Sequence, residues 1–211
     1  MTSRYFVAAT LAILSLGLAA CGGGGDGGEV AEPTAAGTAE APSPAPVPTL
    51  ATTPTITGNL FEFPERGYSV EFPEGWTPEP NFLPGPDFSV DAFFSPDEVR
   101  GIQPNISVTC ETVPEGTTLQ QYFDGKNDVT RQVTHLEPDV RSREVGGLAA
   151  MVSHYARADS NPPLEKSEAV FISDRCGWSI AMTVPLGGDT EYADVFEAFL
   201  DSFTLLPSGS D

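Results

Sequence analysis

The chain has 211 residues, with 30 acidic against 10 basic side chains and a formal net charge of −20. So acidic a balance argues against nucleic acid as a partner and against direct docking on anionic lipid headgroups. Its 21 glycines and 20 prolines are unevenly spread, so the chain divides before any element is assigned.

Residues 1–20 read as a secretory signal: one positive charge at Arg4, an apolar stretch from Tyr5 to Leu16, then small residues. The apolar stretch is short for a membrane span, which takes about 20 residues, so cleavage is expected over anchoring by the helix itself. Leu18-Ala19-Ala20-Cys21 resembles the bacterial lipobox, in which the cysteine is lipidated and becomes the new N-terminus. The alternative is a plain signal peptide that leaves Cys21 as an ordinary residue. A lipidated thiol escapes oxidation, and more than one acyl chain gives stable attachment where one is marginal. The expected location is the extracytoplasmic side of a cell membrane, held by the lipid.

From 21 to 57 the lipidated cysteine is followed by Gly, Pro, Ala, Thr and Ser without an aromatic residue. Such a segment buries too little apolar surface to offset its ordering entropy and reads as a disordered tether. Residues 58–211 are suited to one domain and carry 9 basic and 26 acidic side chains. That acidity serves solubility; the alternative is an acidic recognition patch.

Within the domain, period-two alternation predicts strands at 68–72, 106–111 and 176–184, with shorter candidates at 89–95, 148–157 and 168–173. Asp174-Arg175 would close a hairpin. Thr118-x-x-Gln121 is a capping box, followed by a helical stripe of Leu119, Tyr122, Phe123, Val129 and Val133 that Gly125 weakens. A cleaner helical stripe runs through Tyr192, Val195, Phe196, Phe199, Leu200 and Phe203, with acids on the opposite face. Strands, helix, strands, helix predicts an α+β fold in which helices pack on an antiparallel sheet.

Three stretches resemble PsbP-like (Mog/PsbP-type) domains: Gly67 to Trp76, Val145 to Ala150, and Phe196 to Phe203. The resemblance covers roughly residues 60 to 206, and the lipobox and tether place it with the bacterial lipoprotein branch of LpqN and DcrB types. It implies an α-β-α sandwich around an antiparallel sheet, and a non-catalytic protein that binds or assembles with others. No metal-binding or photosystem-docking residue of the photosystem branch matches a position here.

Catalytic and metal chemistry find little support. There is no G-x-S-x-G, His135 and His154 fall in a loop and on a predicted strand with nothing linking them, and the cysteine and histidine spacings match no usual zinc site. Asp124 to Asp128 lacks the alternating ligands of a calcium loop and falls inside a predicted helix. No cofactor, metal or catalytic residue is expected. Cys110 and Cys176 lie in line with the core-facing residues of their strands, in a compartment that permits disulfides; they form a bridge, or else remain two buried thiols too far apart.

Pro80 to Phe88 is a proline-rich loop carrying Phe82, Leu83 and Phe88. Its aromatic residues either fold back as a lid on the core or point outward to a protein or lipid partner. The expected function is a membrane-anchored interaction or assembly module with an envelope protein partner; the alternative is a small-ligand or lipid-binding accessory of envelope transport.

Overall fold

A computed structural model describes residues 53–85, 88–134, 138–158, 160–173 and 176–207. In chain order its elements are β1 (Thr55–Thr57), β2 (Leu60–Phe63), β3 (Tyr68–Glu71), β4 (Thr77–Pro84), β5 (Phe88–Phe94), β6 (Asn105–Glu111), α1 (Leu119–Thr134), β7 (Asp139–Val145), β8 (Leu148–Arg157), β9 (Leu164–Ile172), β10 (Gly177–Pro185), α2 (Asp189–Ser202) and β11 (Thr204–Leu205). The fold is α+β, and every strand pair is antiparallel.

Two sheets form where one was expected. Seven strands take the order β4-β5-β6-β10-β9-β8-β7, and four shorter ones take β1-β2-β3-β11. Because side chains alternate along a strand, register sorts the large sheet into two unlike faces. One transverse row is Val108, Ile180, Ala169 and Val152, all buried; the adjacent row, on the other face, is Ser107, Ala181, Glu168 and Ser153.

The apolar face is covered by the small sheet and α2. Phe61, Phe63, Tyr68 and Val70 come from the small sheet, Phe196, Phe199 and Leu200 from α2, and Phe203 just after it, all in one cluster with Phe171, Trp178, Ile180 and Met182. Trp178 stacks on Phe171 at 6.0 Å and meets Tyr68 and Phe203 edge-on at 5.6 and 5.5 Å. Each such aromatic residue removes on the order of 150–250 Å² from water, so this layer dominates the stability of the fold.

Helix α1 packs on the other face, where Tyr122 and Phe123 meet Val170, with Met151 and Ile172 alongside. Its start is the expected capping box: Thr118 N–H donates to Gln121 Oε1 at 2.9 Å and Gln121 N–H donates to Thr118 Oγ1 at 3.2 Å. Gly177 lets the helix approach this closely, since a Cβ there would lie 2.7 Å from the Tyr122 ring.

Several expectations change. The tether boundary at 57 lies too late, because Thr55, Ile56 and Thr57 pair with Glu62, Phe61 and Leu60 as β1, using the β-branched residues at the end of that segment. Strands β2, β7 and β11 had no sequence expectation, and the second half of β4 was expected as a loop. The 174–175 turn lies outside the described residues, although Ser173 N–H donates to Cys176 O at 3.1 Å across its base.

Candidate functional site

Strand β5 carries an acid where its register demands an apolar residue. Ser89, Asp91 and Phe93 share the core-facing side, and Asp91 is 1% exposed. A buried carboxylate needs partners, and it has three. Tyr68 Oη donates at 2.6 Å, the Arg66 guanidinium pairs at 2.6 Å, and the backbone N–H of Asn81 donates at 2.9 Å. Arg66 also donates to the Asn81 side chain and lies 4.5 Å over the Phe63 ring.

Asn81 is therefore held twice, in a left-handed backbone conformation (φ 55°) inside a bulge where β4 loses register with β5 between Glu79 and Leu83. Bulges re-aim side chains. Here the next residue, Phe82, is turned outward: it is 45% exposed, with its ring edge-on to Phe94 at 5.2 Å. The chain thus spends a buried ion pair, a weak source of net stability, on fixing one surface aromatic residue.

The stretch read as a loop holds the end of β4 and the start of β5, and residues 86–87 between them lie outside the described residues. Leu83 is half-buried opposite Val90, and Phe88 is half-buried with its ring so close to Gly85 that a Cβ there would meet it at 2.3 Å. Phe82, by contrast, points outward. Strand β4 is also an edge of the large sheet, with Pro78, Pro80 and Pro84 along it. Prolines withhold donors from an edge, so recognition here would run through side chains rather than an added strand.

Burial first, and then the Asp91 carboxylate, push the Tyr68 phenol well above its ordinary value, with Arg66 acting the other way. A second, partly buried charge group lies under α1. Tyr122 Oη donates to Glu111 at 2.6 Å and Lys126 pairs with the same carboxylate at 2.6 Å; Lys166 pairs with Glu168 at 3.1 Å, and Ser179 donates to Glu168. Burial raises the Glu168 carboxyl, but Lys166, Lys126 and Ser179 together hold it below its ordinary value.

Cys110 and Cys176 are bonded, with Cα atoms 5.7 Å apart, tying the end of β6 to the residue before β10. Cys21 and His135 lie outside the described residues. His154 stands on β8 with Nδ1 3.1 Å from Ser167 Oγ, in a cleft of about 250 Å³ between α2 and the sheet. Asp139, Glu165, Met182 and Phe196 also line it. Asp139 faces His154 in register, and among the described residues no hydrogen bond joins them; the cleft offers polar groups able to bind a ligand. Among the described residues no three His, Cys, Asp or Glu are grouped to hold a metal, and no helix is long and apolar enough to cross a membrane.

Sequence reasoning singled out Phe82, Leu83 and Phe88 as a candidate loop and gave no expectation of what positions Phe82. Asp91 was the available signal, an acid within an otherwise apolar strand; its partners Arg66 and Asn81 are local neither to it nor to each other.

No family model matches the chain, and no curated protein matches it in sequence. Among solved structures it is similar to a protein of Bacteroides thetaiotaomicron VPI-5482, at 16% identity and a TM-score of 0.51, over 74% of this chain and 51% of that one. It thus spans about half of that protein's length. It is also similar to the cyanobacterial PsbP (CyanoP) of Synechocystis sp. PCC 6803, at 16% identity and a TM-score of 0.48, over 66% of this chain and 86% of that one. LpqN, involved in cell envelope biogenesis of Mycobacterium tuberculosis, shares 11% identity at a TM-score of 0.37, over 66% of this chain and 91% of that one. At these identities the likeness is one of fold, and of the three the Bacteroides comparison, above a TM-score of 0.5, bears on it.

Proposed function

We propose that the chain is a lipid-anchored, extracytoplasmic protein that binds another envelope protein without catalysis, and that it does so through the surface around Phe82. The observation that carries this reading is the pinned bulge: Arg66, Asp91 and Asn81 together fix an exposed phenylalanine on a proline-bearing edge. Rigid, exposed aromatic residues supply large contact area at little ordering cost, which suits them to anchor an interface. The Cys110–Cys176 bond favours an oxidising compartment, and the Leu18 to Cys21 motif supplies the anchor.

The test is crosslinking of the full lipidated protein in its own membranes, with Cys21→Ala and Phe82→Asp as variants. The expected result is a partner near one-to-one that both variants lose, with the melting temperature of Phe82→Asp unchanged. A partner retained in full by Phe82→Asp overturns the role of this surface.

A small-ligand accessory is the second reading, and the cleft between α2 and the sheet favours it. Its lining mixes apolar Met182, Val184 and Phe196 with His154, Ser167 and Arg141, a combination typical of sites that hold small polar molecules. Native mass spectrometry of the protein taken directly from membranes would reveal a retained ligand; its release on His154→Ala would move the weight to this reading.

A further inference from the structure

The large sheet has two edges, and they are built differently. Strand β4 carries three prolines and a bulge. Strand β7 has no proline, and its seven residues pair with β8 without a break, Asp139 with His154 through Val145 with Leu148. The edges of the small sheet, β1 and β11, are three and two residues long. Short strands, prolines, bulges and charged side chains are the usual protections of an edge; β7 carries the charges of Asp139, Arg141, Arg143 and Glu144 and none of the others.

Which backbone groups β7 presents follows from its turn. Gly146 and Gly147 both have positive φ (57° and 77°), the two-residue hairpin geometry in which the flanking residues, Val145 and Leu148, exchange hydrogen bonds. Bonded and non-bonded pairs alternate from there, so Arg143, Arg141 and Asp139 bond to β8, and Glu144, Ser142 and Val140 direct their N–H and C=O outward. The Glu144 carbonyl fits this, since it accepts from Arg143 Nε at 3.1 Å instead of from a strand. Among the described residues nothing pairs with the backbone of Val140 or Ser142 on that side.

Side chains along the edge are patterned. On the face toward the open side of α1 stand Val140, 41% exposed, and exposed Ser142 and Glu144. On the other stand Asp139, with no partner among the described residues, and Arg141, whose side chain is 58% exposed even while it pairs with Glu197. Arg143 is more enclosed and bridges Glu197 and Asp201.

We infer that β7 is a strand-addition site: an extended segment of a partner protein pairs antiparallel with it as an eighth strand. The partner places an acidic residue opposite Arg141, a basic residue opposite Asp139 and an apolar residue between them against Val140. Main-chain hydrogen bonds hold such a strand and the alternating side chains select it. A second copy of this chain fits less well, because two domains of such high negative charge repel. The inference does not rest on Phe82, and a partner held at both places would gain from two linked contacts.

The test uses the full chain and the heptapeptide TTVEVKT, which meets that pattern in antiparallel register, followed by residue-resolved amide exchange. The expected result is that peptide slows exchange at Val140, Ser142 and Glu144 by roughly tenfold or more, while amides around Phe82 do not change. Ser142→Pro removes one outward donor and leaves the β8 bonds intact, so the variant should keep protected Arg141 and Arg143 amides and lose the peptide effect at Val140 and Glu144. A peptide methylated on the backbone nitrogens that face β7 should have no effect on the unaltered protein, which decides the matter should Ser142→Pro fail to fold. No protection at millimolar peptide, protection that survives Ser142→Pro, or equal protection by the methylated peptide each overturns the inference and leaves the Phe82 reading standing.

Discussion

The two faces of the seven-stranded sheet bury their residues by different physics. Under the small sheet and α2 the layer is aromatic, with Trp178, Phe171, Tyr68 and Phe203 in mutual contact. Under α1 it is sparse in apolar residues and rich in charge, with Glu168, Ser153 and Ser179 buried and Lys126 and Lys166 paired to acids. Apolar burial is nondirectional and stabilises in proportion to area; buried polar pairs contribute little net stability and fix geometry. The first face should therefore set how stable the domain is, and the second should set where α1 sits.

The largest effect that tests this comparison is Trp178→Ala, expected to cost about 3–5 kcal/mol in urea unfolding. A cost under about 1 kcal/mol would mean that the aromatic layer is not the stabilising one. Reduction of Cys110–Cys176, which spans 66 residues, should cost about 4 kcal/mol in the chain-entropy model, read from the same curves with and without reductant. It joins strands of the layer that both faces share, so its loss lowers the stability of both.

On the charged face the expected effects are smaller. Tyr122→Phe deletes the hydrogen bond to Glu111 and should cost about 1 kcal/mol, with local exchange along α1 rising more than exchange at Trp178. The pH profile separates the buried phenols from the buried carboxylate by sign. Burial first, then neighbouring carboxylates, raise the phenols of Tyr68 and Tyr122 above the ordinary 10.0. Below pH 10 they cost nothing; above it the unfolded chain ionises and the folded one does not, so stability falls as pH rises. Tyr68→Phe should flatten that alkaline slope in denaturation curves between pH 8 and 11. The folded Glu168 carboxyl lies below the ordinary 4.5, so its contribution is present above that pH and is lost as pH falls through its folded value. Smallest of all, Phe82→Ala should change stability by no more than about 0.5 kcal/mol, as for an exposed surface residue.

Much of the aromatic face was legible in the sequence, because a layer covered on one side writes a clean period: Tyr68 to Phe72, Ile106 to Glu111 and Cys176 to Val184 all alternate, and the α2 stripe recurs at helical spacing. The edges were not. Strand β4 has three prolines, which speak against a strand unless it is known to be an edge, and β7 is four-sevenths charged because both of its faces reach solvent or acidic partners. Strand β9 begins four residues earlier than its period suggests, at Leu164, since Glu165 and Ser167 line a polar cleft where the core would otherwise demand apolar residues. The Arg66–Asp91–Asn81 group depends on a pairing of sheets that no local pattern encodes; the lone hint was an acid at a core-facing position of β5.

The most direct measurement places a photo-crosslinking amino acid at position 82 in the lipidated protein, with position 56, an equally exposed apolar site on β1, as the reference. The account requires a discrete crosslinked envelope protein from position 82 that position 56 does not give, and its loss when Arg66→Ala frees the bulge in a chain whose Trp178 fluorescence remains native. Equal crosslinking from both positions, or none from position 82 in intact membranes, would contradict it.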